Sequence, residues 1–321
     1  LPMGVFAAKK DSTEEKLTKV TLNEVAHSIF YAPQYVAIEE GYFAEKGLDL
    51  TLVTGFGADK TMTAVISGEA DIGFMGAEAS VYAYQEGATD PVVNFAQLTQ
   101  RAGNFLVARE EMPDFKWEDL KGEKVLGGRK GGMPEMVFEY ILKKNGIDPQ
   151  KDLTIDQSID FGSTAAAFTS DDSAAYTVEF EPSATILEKE GAGYVVASLG
   201  EASGYVPYTS YSTKASYMKE NPEIIQKFTD ALQKGMDYVQ NHTPEEIAEV
   251  IAPQFKETDL ETITAIVKRY YDQDTWKENL IFEKDSFELL QDILEDAGEL
   301  TDRTAYENLV QTEYAQKACK N

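Results

Sequence analysis

The chain reads as an α/β protein of two lobes followed by a helical C-terminal extension. Three observations predict this. Its 321 residues exceed the roughly 250–300 at which a single core stops growing. Short apolar strand-like segments alternate with helical stretches of about ten residues, punctuated by glycine, the pattern of a parallel sheet covered by helices. That pattern restarts after Gly122 and gives way near Tyr217 to helices alone.

Residues 1–19 stand apart. "LPMGVFAA" is a short apolar piece and residues 9–19 a polar tether without apolar period, together an export-signal remnant or linker left out of the fold. The first strand is "VTLNEVA", residues 20–26, and Pro33 opens the next helix, whose Tyr35, Ile38 and Tyr42 share one face. "LDLTLV" alternates as a second strand; Met62, Val65 and Ile66 give the following helix its face, and Gly68 is placed to stop it. "DIGFM", "EASVYAYQEG" and "PVVNFAQL" continue as strand, helix and strand, "NFLVARE" is a further strand, and "MPDFKWEDLKG" then reads as a crossing segment.

The second set comprises "EKVLGG", "MPEMVFEYILKKNG", "DLTI", "STAAAFTS", "AAYTVEF", "EPSATILEKEG" and "AGYVVASL", and "PYTSYST" returns toward the first lobe. The expected division is lobe 1 from residues 20–108 and 205–321, and lobe 2 from 109–204. Helix starts in the extension are legible: Asn221 before Pro222, and capping-box spacings at Thr243/Glu246, Thr258/Glu261 and Asp285/Glu288. These helices have no strand of their own to cover, so they are assigned to lobe 1.

The 56 acidic against 29 basic side chains give a net charge of −27, which repels nucleic acid and anionic membrane. One cysteine, Cys319, and two histidines, His27 and His242, assemble neither a disulfide, a Cys/His zinc site nor a Cys/His nucleophile pair. No metal or cofactor is expected. "GGRKGG", residues 127–132, sits where a phosphate loop would, but Lys130 lacks the following Ser or Thr of a P-loop. "DFG" at residues 160–162 has no accompanying kinase motifs, and the sequon at Asn241 is explained by Thr243 as a helix cap. His27 reads as a buried, satisfied histidine in preference to a ligand contact.

Ligands of open parallel sheets lie beyond the carboxyl ends of the strands. Here those ends hold Ser28, Phe30 and Tyr31; Phe56 and Gly57 beside Gly55; and Met75, Gly76 and Glu78. From the second lobe come Gly131, Gly132 and Met133, then Phe161 and Ser163, then Glu179 and Glu181. With Phe180 between them, the last two carboxylates are expected on one side of an extended segment, suited to holding an amine or ring N–H more than to catalysis.

Four segments carry a family resemblance: "APQYVAIEEGYFAEKGLDLTLV", "GEADIGFMG", "WEDLKGEKV" and "VEFEPSATILEKEG". They resemble the extracytoplasmic substrate-binding proteins of ABC importers, of the nitrate, sulfonate, bicarbonate and thiamine-pyrimidine type. The resemblance implies the type II periplasmic-binding-protein fold, crossings near residues 106–110 and 205–211, and a cleft that closes by hinge motion. It implies a non-enzymatic monomer, periplasmic or lipid-anchored outside the cytoplasmic membrane, whose partners are a small molecule and a membrane permease.

Aliphatic sulfonate or nitrate would call for helix N-termini, hydroxyls such as Ser28 and Ser163, and a basic group such as Arg101 or Arg129. A pyrimidine or flavin calls for rings and carboxylates. A micromolar ligand needs about 8 kcal/mol, of which each aromatic pair adds only ~0.5–1.5 kcal/mol beyond burial. Enclosed ring area must therefore supply most of the affinity, and the residues at the strand ends favour a ring-bearing ligand. The same fold in a pyrimidine-precursor synthase carries a cysteine-rich motif absent here, and a sensory ligand-binding domain is the remaining alternative.

Overall fold

The computed structural model describes residues 17–320, so the reading of residues 1–16 lies outside it. Two mixed five-stranded sheets carry the chain. The first comprises β1 (Thr18–Glu24), β2 (Leu48–Thr54), β3 (Ile72–Gly76), β4 (Val92–Thr99) and β10 (Thr209–Lys214), in the order β2-β1-β3-β10-β4. The second comprises β5 (Phe105–Ala108), β6 (Lys124–Leu126), β7 (Thr154–Asp156), β8 (Tyr176–Glu179) and β9 (Tyr194–Ser198), in the order β7-β6-β8-β5-β9. Neither sheet is wholly parallel: β10 runs antiparallel to β3 and β4, and β5 antiparallel to β8 and β9.

The strand β1 starts at Thr18, inside the stretch read as a tether. Placing residues 105–108 in the first lobe conflicts with their pairing, because β5 lies between β8 and β9 with all four residues buried. The chain therefore changes sheets within residues 100–104 and returns within residues 204–208. Val206 N donates to Gln100 O at 2.9 Å, tying the two crossings together. Arg109, just past β5, donates through Nε to Ala174 O at 3.0 Å and through Nη2 to Phe168 O at 2.9 Å, fastening the strand in the second sheet.

The helix Pro222–Asn241 shows how the extension attaches. Ile225, Phe228, Leu232, Met236 and Val239 recur every three or four residues on its buried face. Phe228 meets Tyr211 of β10 edge-on, and Tyr211 stacks on Phe74 of β3 at 4.2 Å between centroids. Gly235 costs about 1 kcal/mol of helix propensity relative to alanine, yet a Cβ there would collide with Pro33 O, so glycine sets the approach to the helix Ala32–Glu39. Further helices reach the second lobe as well. Arg269 Nη2 lies 2.6 Å from Glu188 Oε1, Lys189 Nζ donates to Thr262 Oγ1 at 2.6 Å, and Lys143 pairs with Asp296 at 3.1 Å.

Gly68 ends the helix Ala58–Ser67 in the left-handed conformation at φ 81°, as its position predicts, whereas Ile66 is half exposed and off the buried face. Thr243 and Glu246 form the expected reciprocal cap. Two other starts differ from the spacing argument: Asp259, not Thr258, caps Leu260–Asp272 through Thr262 N at 2.7 Å, and the helix holding Asp285 begins at Lys284. Thr258 instead closes a turn by donating its N–H to Phe255 O at 3.1 Å. Among the described residues no helix is long and apolar enough to cross a membrane.

Candidate ligand-binding cleft

A cavity of about 440 Å³, within the range of small-molecule sites, opens between the two sheets. The turn after β1 supplies Val25, Ala26, His27, Ser28, Phe30 and Tyr31. Gly76 and Glu78 come from the end of β3 and the start of the helix Glu78–Gln85, and Ala58 from the start of Ala58–Ser67. The second lobe contributes Gly131, Gly132, Met133 and Pro134 at the start of Gly132–Lys144, with Phe180 and Glu181 after β8. Tyr208 and Thr209 close the wall where the chain returns. The lining is mainly aromatic and apolar, and among the described residues no lysine or arginine belongs to it.

Nine of the fifteen residues expected from the strand ends thus line one cavity: Ser28, Phe30, Tyr31, Gly76, Glu78, Gly131, Gly132, Met133 and Glu181. Six do not. Met75 faces the opposite side of β3 and packs with Met62 and Val65. Phe56 is 75% exposed at φ 58°, and Gly57 turns the chain beside it, so the loop projects to solvent. Ser163 is exposed, and Phe161 stands behind Phe180, edge to face at 4.9 Å. Glu179 is fully buried in β8, where Thr164 Oγ1 donates to it at 2.6 Å and Thr177 Oγ1 at 3.2 Å.

The two acidic residues therefore do not share a side. The strand ends at Glu179, and the turn at Pro182 carries Glu181 to the cleft, where its Oε1 accepts from Thr185 N at 2.8 Å. Neither arginine named as an anion partner is near. Arg101 donates to Gly200 O at 3.0 Å and lies over the Tyr205 ring, while Arg129 is ion-paired with Asp160 on the surface.

His27 is expected to be buried and satisfied; it is satisfied but not buried, because the turn after β1 leaves it exposed at the cleft. Its Nδ1 lies 2.7 Å from Glu24 Oε2 and its Nε2 2.9 Å from Gln254 O. Both nitrogens face acceptors, so the hydrogen bond to Glu24 above all raises the imidazole pKa. Glu24 is itself fully buried and also accepts from Gln34 Nε2, Tyr35 OH and Thr54 Oγ1 at 2.9, 2.6 and 2.7 Å.

Glu78 has the opposite environment. It is 5% exposed, its Oε2 has no hydrogen-bond partner among the described residues, and burial pushes its carboxyl up to about 7. The Tyr208 hydroxyl on the same wall is likewise buried and unpartnered among the described residues. Leaving such groups unpaired costs roughly 1–3 kcal/mol each, so together they mark where a ligand's polar atoms gain most.

Residues 29–247 match the family model described as NMT1/THI5 like. The chain belongs to the NMT1/THI5-like family. YtlA of Bacillus subtilis (strain 168), whose name describes it only provisionally as a binding protein, is 47% identical over 98% of this chain and 93% of its own. Riboflavin-binding protein RibY of Chloroflexus aurantiacus is 25% identical over 72% of this chain and 65% of its own. Among solved structures, the alkanesulfonate-binding protein SsuA of Xanthomonas axonopodis pv. citri, bound to MOPS, superposes with a TM-score of 0.71 at 15% identity. That superposition covers 92% of this chain and 98% of SsuA. The NMT1/THI5-like chain thus has the periplasmic-binding-protein fold, which its two sheets and double crossing display.

Proposed function

We propose that this protein is an extracytoplasmic solute-binding protein that encloses a ring-bearing small molecule, of pyrimidine or flavin type, and delivers it to an ABC permease. The observation that carries the ligand class is the cleft lining. Phe30, Tyr31, Phe180 and Tyr208 offer aromatic surface, and Glu78 and Glu181 offer carboxyl groups. No lysine or arginine among the described residues lines the cavity to hold a sulfonate, and the one histidine on the wall, His27, has both ring nitrogens engaged by Glu24 and Gln254. RibY's named ligand is a flavin, which agrees with this reading. Binding between lobes joined by two crossings supports closure by hinge motion, with the closed form presented to the permease. The protein acts as a monomer and performs no covalent chemistry in this reading.

Calorimetry tests the ligand class. Riboflavin or an aminopyrimidine is expected to bind at micromolar concentration or tighter, and methanesulfonate and nitrate to give no heat. Tight binding of the small anions without any ring compound would sink the proposal.

A further inference from the structure

Glu78 and Tyr208 present two buried polar groups to the same cavity, and neither Glu78 Oε2 nor the Tyr208 hydroxyl has a partner among the described residues. They are close enough for the Glu78 charge to raise the Tyr208 hydroxyl, although burial dominates that shift. Gly76 makes this arrangement possible: a Cβ there would overlap both carboxylate oxygens of Glu78 and lie 2.8 Å from its Cδ. Across the cleft, Gly132 comes near the same carboxyl: a Cβ on it would stand 3.9 Å from Glu78 Oε1, in ordinary contact. Gly76 thus clears the space the carboxyl occupies, and the second lobe approaches it at Gly132.

We propose that Glu78 selects the ligand by pairing, as a neutral carboxylic acid, with an edge that carries an N–H donor beside a hydrogen-bond acceptor. A neutral carboxyl offers one O–H and one carbonyl side by side, complementary to the ring-nitrogen and amino edge of an aminopyrimidine or the imide edge of a flavin. The inference rests on the reading of the cleft as a site for a ring-bearing ligand. The groups facing Glu78 favour the neutral form: Tyr31 from the turn after β1, Tyr208 from the returning crossing and Tyr82 from its own helix are phenols. Glu135 on the facing helix is a further carboxyl near Tyr82, and Glu181 and His27 stand elsewhere on the wall. No lysine or arginine among the described residues lines the cavity to draw the carboxyl into its charged form.

Calorimetry with two probes, lumiflavin beside its imide-N-methylated counterpart and 4-amino-2-methylpyrimidine beside its N,N-dimethylamino counterpart, each counterpart lacking the donor, tests this on wild type, Glu78→Gln and Glu78→Ala. Methylation and Glu78→Ala are each expected to weaken binding roughly ten- to a hundredfold, because a polar group is left unpaired. Glu78→Gln, whose amide keeps a donor and an acceptor, should recover most of what alanine loses. Wild-type affinity for lumiflavin should fall between pH 6 and pH 8.5, and that of Glu78→Gln should not. Equal binding of the methylated probes, or a glutamine variant as weak as alanine, overturns the role of Glu78 while leaving the ring-binding site standing. Binding of neither parent ring removes the site's proposed ligand class, and this inference with it.

Discussion

Glu24 Oε1 accepts a 2.6 Å hydrogen bond from Tyr35 OH while its Oε2 lies 2.7 Å from His27 Nδ1, so one buried carboxylate joins the core to the cleft wall. Gln34 extends the connection, donating to Glu24 and accepting from Tyr211 OH of β10 at 2.7 Å. Replacing Glu24 by alanine strands four donors at once. A loss of about 3–5 kcal/mol of unfolding free energy is expected, as for removing one partner of a buried pair. Urea denaturation measures it, and a loss below about 1 kcal/mol would show that the network contributes little.

Stability should fall as pH rises from 5 to 8. Burial raises the carboxyls of Glu78 and Glu179 to about 7 each, and Glu24 raises His27. A group with a higher pKa in the folded state binds its proton more tightly there. Its contribution is complete below the unfolded value and is lost as pH climbs through the folded one. For the two carboxyls that window runs from 4.5 to about 7, at of order 1–3 kcal/mol each. Asp90, Asp156 and Asp259, whose pKa values are lowered by hydrogen bonds, act only below this range. Urea midpoints at pH 5 and pH 8 provide the measurement, and Glu179→Gln should flatten the slope.

Gly76→Ala should weaken ring-ligand binding about tenfold or more, because the added methyl displaces the Glu78 carboxyl. The backbone at Gly76 does not need a positive φ, so the thermal midpoint should drop by only a few degrees. Titration calorimetry paired with a thermal melt separates the two effects. A large drop in the midpoint with unchanged affinity would contradict the steric argument.

Phe56→Ala should leave stability within about 0.5 kcal/mol. The ring is exposed and packs on nothing that defines the core. Chemical denaturation checks this, and a loss above 1 kcal/mol would mean that the ring is covered in solution.

Residues such as Ser28, Gly76 and Gly132 were legible because the carboxyl ends of parallel strands converge on one crevice, and strand ends can be read from glycines and apolar periodicity. Tyr208 and Thr209 escaped the same rule. They lead into β10, which enters its sheet antiparallel, so the start of the strand lies where the others finish. Phe180 was placed only as a spacer between two acids; the turn that follows β8 gives it the cleft and leaves Glu179 with Thr164. Phe56 failed because a loop's direction depends on backbone torsion that composition does not encode. The placement of β5 was missed because its apolar run, residues 105–108, would suit an inner strand of either sheet, and the polar crossing before it, residues 100–104, does not say which sheet the chain enters.

The position of β10 sets an order on the birth of the molecule. It alone joins β3 to β4, and it is made only after the whole second lobe. A chain that ends at residue 204 carries both neighbours of a missing inner strand, with two open hydrogen-bonding edges. The second lobe, built from one continuous stretch, can close first, whereas the first must wait for its last strand to be threaded between partners more than a hundred residues older. Chains cut short before Thr209 would therefore leave β3 and β4 with unpaired edges, which only the late strand can join.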